Sequence, residues 1–350
     1  MAKTAHERVP GRRNEIETLA HRLADEFMFR ISDLDQGIDD IFYRILGPSV
    51  ESFSSGTELD DDAFVRLFTG TRAIIAGLDP VLFLEEREGM GKQAVRREFL
   101  SVHRVPMMRD RYGHSLAGMR ISMTRERVTV EKDYLGLDIQ RHAMFRSVQR
   151  GVVPRDGGFD GLDEFTVEAL GLAVIWRHAK ALGFLGMDNV AMPFRQGLML
   201  GSMLDIRDRD LGSARRIDAS GVYATALAPN HFNSADIRVD GDVVTCAPVV
   251  LNTVLGADTM GRARHDLHAK LVSFGRRHAS LVHQLATGSA WQSQDMAPHP
   301  RYTDLLPAIT EAASRLGDNV KDGIKGVVAR RTLEEIVVTE RAAFTGDMIS

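Results

Sequence analysis

Cysteine is nearly absent. Cys246 stands alone among 350 residues, which excludes an intrachain disulfide and any zinc site built on several thiolates. Its setting, Val243-Val244-Thr245-Cys246-Ala247, is apolar and predicts a small buried hydrophobe. So little thiol fits a reducing compartment. No stretch approaches the ~20 consecutive apolar residues of a membrane span. The start of the chain, Met1-Ala2-Lys3-Thr4-Ala5-His6-Glu7-Arg8, has no apolar run behind it of the kind a secretory signal carries. The expectation is a cytoplasmic protein without a membrane partner. A complete phosphate loop is missing too. Gly89-Met90-Gly91-Lys92 lacks the first glycine at the required distance and a hydroxyl residue after the lysine.

What is present is an ordinary globular composition, 44% hydrophobic and 26% charged, with ample apolar material for a core. The net charge of -4 hides an asymmetry. Residues 31–90 carry 13 acidic and 4 basic side chains, whereas residues 91–155 carry 14 basic and 6 acidic. Such a division marks either a nucleic-acid surface beside an acidic docking surface, or two regions that pair with each other.

Hydrophobic spacing divides the chain into three. Ile16, Leu19, Leu23, Phe27, Ile31, Leu34, Ile38, Phe42 and Ile45 recur in steps of three and four, predicting one or two helices over 13–47, stopped by Gly47-Pro48. A further helix is expected over 61–76, with Asp60-Asp61-Asp62 compensating the dipole at its start, and a short helical segment after Leu78-Asp79-Pro80. From Gly118 the period changes to two. Arg120–Thr124 and Arg127–Glu131 alternate around a polar break, as a hairpin does. A helix over 161–184 follows, then strand-like pieces at 190–194, 198–201, 222–227 and 243–245 punctuated by glycine. Leu267, Leu271, Phe274, His278, Leu281 and Leu285 form the apolar stripe of a helix over 258–286, and 304–340 reads as two helices broken near Gly317. The expected fold is α+β: helical regions 1–95 and 256–350 flanking a small mixed or antiparallel sheet core at 96–255.

The stretch with most chemistry is Gln140-Arg141-His142-Ala143-Met144-Phe145-Arg146-Ser147-Val148-Gln149-Arg150-Gly151, a short helix after a strand. His142 and Arg146 are four apart and share a face, with Gln149 and Arg150 one turn further on. An imidazole titrates near neutrality and serves as general acid or base. A guanidinium beside it can hold a phosphate in bidentate fashion and oppose charge developing on it. Those parts suit RNA cleavage without a metal, so no cofactor is expected. Arg141, Gln149, Arg150 and, in the polar loop Asn230–Ser234, His231 are candidate substrate-binding residues. His265 and His268 lie three apart on a helix but lack further ligands at a recognised spacing, so no metal residues are assigned.

The order strand, "histidine-alanine-two residues-arginine-two residues-glutamine-arginine-glycine" on a helix, and a later strand Val222-Tyr223-Ala224-Thr225-Ala226-Leu227 resembles the small ribonuclease toxins of the barnase/EndoU/colicin/RelE superfamily. The resemblance covers about a third of the chain. It implies a single sheet against one or two helices and metal-independent cleavage of RNA. His142 would be the general acid/base, Arg146 the phosphate clamp and Thr225 a hydroxyl contact with phosphate, Thr245 being a competing choice for the last. A different reading is a non-catalytic homo-oligomer or scaffold built on the long amphipathic helices, meeting a partner through the acidic N-terminal region.

Overall fold

The computed structural model describes residues 10–29, 34–54, 58–88, 96–106, 113–153, 160–186, 188–203, 215–219, 222–226, 236–239, 242–245, 248–289 and 300–320. The chain starts with helices. α1 (Pro10–Phe29) comes first; α2 (Leu34–Asp40), one π-turn (Ile41–Leu46) and α3 (Gly47–Ser54) then follow one another without a break. Gly47-Pro48 therefore does not stop the helix as its sequence predicts. The Gly47 N–H reaches back to the Phe42 carbonyl, so the hydrogen-bond register widens just before Pro48. The wider register comes immediately before the residue that has no N–H to give, so the helix passes Pro48 without a break. α4 (Asp61–Gly77) begins as expected, with the Asp60 side chain accepting from the Ala63 N–H at 2.7 Å.

Four strands follow. β1 (Leu82–Glu88), β2 (Arg96–Pro106), β3 (Gly113–Met123) and β4 (Val128–Gln140) pair antiparallel in sequence order. The segment after Pro80 is thus a strand and not a short helix. Its Glu-rich end looks helical in isolation, but all seven residues pair with β2, and Glu85 meets Arg97 across the pair at 3.1 Å. The predicted hairpin is present at β3–β4. Its break, Thr124–Arg127, is closed by the Thr124 N–H donating to the Arg127 carbonyl at 2.8 Å and the Arg127 N–H donating to Thr124 Oγ1 at 3.0 Å.

β4 runs straight into α5 (Arg141–Gln149), and α6 (Asp160–Ala181) succeeds it. Then come β5 (Asn189–Phe194), β6 (Gly197–Met203), β7 (Arg215–Ala219), β8 (Val222–Ala226), β9 (Asp236–Val239), β10 (Asp242–Thr245) and β11 (Val249–Leu255). β9 and β10 form a separate two-stranded pair. Among the described residues the other nine strands make one mixed sheet, larger than the small sheet expected. One edge of β4 is occupied along its length by β3. The other is shared, with β8 parallel to residues 128–132 and β11 parallel to residues 137–139. The sheet forks between them, at a bulge where Ser115 faces Asp138 but Ala117 faces Tyr134. Gly136 sits in the bulge at φ +70°, and a Cβ there would meet the Arg177 guanidinium of α6.

The described chain closes with helices. α7 (Arg262–Arg277) and α8 (Ala279–Gln284) break at His278 where one helix was expected, a π-turn (Leu285–Ser289) follows, and α9 (Pro300–Val320) continues through Gly317 without the predicted break. None of the described helices is long and apolar enough to cross a membrane.

Two apolar cores lie on opposite faces of the strands β2, β3 and β4. On one face Phe99, Met119, Ile121, Val128 and Val130 pack under α2, the π-turn and α4. On the other Val102, Leu116, Leu137, Ile139, Val249 and Leu251 pack under α5 to α9 and against Ala20 and Ala24 of α1. The chain is α+β, and the helices before and after the sheet share its cores.

The second core depends on close approach of α6 and α8. A Cβ on Gly171 would run into the Val282 carbonyl, whereas one on Gly77, at the end of α4, meets nothing within 4 Å. Gly171→Ala is expected to lose about 1–3 kcal/mol by urea denaturation, the range of an overpacked core, and Gly77→Ala to lose little or to gain. Equal stability of the two variants would show that the helices are not in this register.

Candidate functional site

The α5 element is positioned by its apolar side. Gln140 is still extended (φ -74°, ψ 146°), and the chain turns helical at Arg141. Ala143, Met144, Phe145, Ser147 and Val148 are buried against α1 and β11. The Phe145 ring lies 4.4 Å from that of His21 on α1. Past the helix, Gly151 adopts φ +66° and the Val152 N–H returns to the Ser147 carbonyl at 2.9 Å, which closes the C-terminus.

His142, Arg146 and Gln149 remain half-exposed on the outer side and touch one another. Arg146 Nε donates to His142 Nε2 at 3.2 Å, and another guanidinium N–H donates to Gln149 Oε1. The spacing read from the sequence thus brings these three together. The contact engages His142 Nε2 as the acceptor of a guanidinium N–H. Gln149 and His142 hold the guanidinium from both sides, and its other donors meet no acceptor among the described residues. The geometry is that of an anion clamp braced by an imidazole and an amide.

The remaining candidates lie elsewhere. Arg141 is bound to Asp25 of α1 at 2.6 Å and serves to anchor α5. Arg150 is half-buried and donates to the Val254 carbonyl. Burial, then the neighbouring Arg146, lowers its pKa, and Asp258 opposes them. Thr225 lies on β8 opposite Glu131, nine residues along β4 from Gln140. The β3 partners of Glu131 and Gln140, Arg120 and Gly113, are seven residues apart, which at the rise of an extended strand is about 24 Å. The structure does not bring Thr225 to His142 and Arg146. Thr245 belongs to the separate β9–β10 pair, and His231 and Cys246 lie outside the described residues.

Among the described residues no group of three or more His, Cys, Asp or Glu side chains is placed to hold a metal. His268 donates its Nε2–H to the Arg195 carbonyl at 3.0 Å, and His178 donates Nδ1–H to the Val174 carbonyl at 2.9 Å. Both are structural contacts.

Two groups of buried polar residues, one on each face of the sheet, escaped the sequence reading. On the α6 side of the sheet, Arg104 is paired with Asp163 and lies beside His114. On the opposite face Asp138 and Gln140 are 3% and 7% exposed. Asp138 is hydrogen-bonded to Ser115, while its Oδ2 and Gln140 Oε1 have no partner among the described residues. The alternation Leu137-Asp138-Ile139-Gln140 was a visible signal, but polar positions of a strand ordinarily face water.

Compared with protein-family models, curated proteins and solved structures, the chain matches none of them.

Burial raises the Asp138 carboxyl to about 6 against an ordinary 3.8, the Ser115 hydrogen bond working the other way. Burial also lowers His103 and His178 to about 4 and His114 to about 3. The signs differ. A raised carboxyl binds more protons in the folded state, so its contribution falls as pH rises from about 4 to 6. Histidines kept neutral by folding lose stability as pH falls from 6.5 toward 4. Asp138→Asn removes only the first effect. Its stability relative to the parent protein should improve by roughly 2 kcal/mol between pH 4.5 and pH 7.5 in urea denaturation. An unchanged difference at the two pH values would contradict the buried carboxyl.

Proposed function

We propose that this protein binds RNA through the outer face of α5, with Arg146 holding a backbone phosphate. The observation that carries this reading is the guanidinium fixed between His142 and Gln149 on a half-exposed surface. A pre-oriented arginine loses little side-chain entropy on taking a phosphate and presents paired donors of the right geometry. Cleavage is the stronger form of the same reading. Metal-independent scission needs one group to take the 2′-hydroxyl proton and another to protonate the leaving oxygen. His142 could supply the first only with its Nε2 released from Arg146, and Thr225 lies too far along β4 to join it. RNA binding is therefore better supported than turnover. A toxin or defence role rests on the family resemblance alone.

A second reading, an assembly or interaction protein, is favoured by different residues. Tyr43 and Val65 are 66% and 59% exposed on the N-terminal helices. Many arginines of the basic segment are also engaged within the chain, Arg97 with Glu85, Arg125 with Asp61 and Arg141 with Asp25.

Fluorescence anisotropy with a labelled single-stranded RNA distinguishes the two. Arg146→Ala should weaken binding by about tenfold, the worth of a charge-assisted hydrogen bond, with the thermal unfolding midpoint little changed. Binding indifferent to Arg146 would sink the α5 reading. Incubation of RNA with the protein in EDTA tests scission: His142→Ala abolishes any cleavage that His142 catalyses.

A further inference from the structure

Among the described residues, much of the positive charge of the basic segment 91–155 is paired within the chain. There Arg96 and Arg120 pair with Glu98, Arg97 with Glu85, Arg104 with Asp163, Arg125 with Asp61 and Arg141 with Asp25. α7 is different. Its apolar residues Leu267, Leu271 and Phe274 are buried in the core, which fixes the rotation of the helix. Arg262, Lys270, Arg276 and Arg277 are all exposed on the opposite side, and none forms an ion pair among the described residues. At 100° per residue these four fall within about 120° of arc, and the strip between them holds Ala269, Ser273 and the lone acid Asp266. Small side chains at its centre leave the helix surface open to close approach. From Arg262 to Arg277 the strip is about 22 Å long.

We propose that this strip is a docking surface for the sugar–phosphate backbone of RNA. Its chemistry is repeated, fixed positive charge that exceeds its single acid, Asp266, and that a polyanion neutralises by displacing counterions. An anionic membrane fits less well, because the helix has already committed its apolar face to the core and has nothing to insert. The start of the strip is linked in the chain to the end of α5. Arg150, at the end of α5, packs against Gly256, and the short connection from Gly256 to Gly261 leads directly to Arg262. Beside it Arg195, exposed in the β5–β6 turn, is tied to α7 through His268. Asp258 is the acid within that connection. An RNA strand gripped at Arg146 would thus run onto α7. This continuity rests on the α5 reading, but the strip itself does not.

The test is a salt titration of RNA affinity. The intact chain, the Arg262→Ala/Lys270→Ala/Arg277→Ala variant and Arg146→Ala are each titrated with a labelled poly(U) oligonucleotide at rising KCl. The three side chains are exposed, so the fold is expected to be retained, which circular dichroism checks. Each lost phosphate contact removes about 0.7 from the slope of log affinity against log salt on a single strand. The triple variant should therefore flatten the slope by about 2 and bind about tenfold or more weakly at moderate salt. An unchanged slope and affinity overturns the proposal. If the triple variant keeps RNA and Arg146→Ala loses it, the strip is wrong and the α5 reading stands. If the triple variant loses RNA and Arg146→Ala keeps it, the strip stands and the α5 reading falls. No RNA binding by the intact chain, with or without co-sedimentation on phosphatidylserine vesicles, overturns both.

Discussion

The pairing of β4 is the constraint on which the rest of the molecule depends. A thirteen-residue strand presents donors and acceptors along both edges, and buried backbone groups left unpaired are costly. β3 satisfies one edge. The other is divided between β8 and β11, and the division is possible because the bulge at Gly136 lets the two halves of the strand diverge. The division also decides where the cores lie. Where β4 pairs with β8, the face bearing Val128 and Val130 is roofed by the N-terminal helices; where it pairs with β11, the face bearing Leu137 and Ile139 is covered by α5 and α6. α5 starts where it does because β4 ends there, so the placement of His142 and Arg146 follows from the same strand.

Electrostatics follows from this packing more than from composition. The acidic and basic segments sit on consecutive elements that become neighbours in the fold, and several of their charges meet: Glu85 with Arg97, Asp61 with Arg125. Exposed pairs of this kind add little stability, but they cancel the local field. Positive charge is left uncancelled where a helix turns its apolar stripe fully inward and carries few acids, as α7 does.

The fold was legible where side-chain periodicity was clean. The β3–β4 hairpin, α4 and α6 follow from alternation, capping residues and apolar spacing. β2 was not legible, because Ser101, His103 and Arg104 are buried within it and break the hydrophobic pattern that marks a strand. β1 was misread because its glutamates favour a helix until β2 is beside it. Of the candidate site, the His142–Arg146–Gln149 contact was readable, since steps of three and four on a helix fix neighbours without any tertiary information. The separation of Thr225 from His142 was not, since sequence order says nothing about which end of β4 a later strand will join.

By itself, the sequence determined which residues share a face of α5, which apolar residues turn inward on α4 and α7, and where the hairpin reverses. These are properties of local geometry, repeated every few residues. Only the tertiary structure decided which charges are neutralised, that Asp138 and Gln140 are buried, and that β8 joins one half of β4 and β11 the other. Those outcomes depend on contacts between segments distant in the chain, and such contacts are set by the shared need to pair strand edges and cover apolar faces.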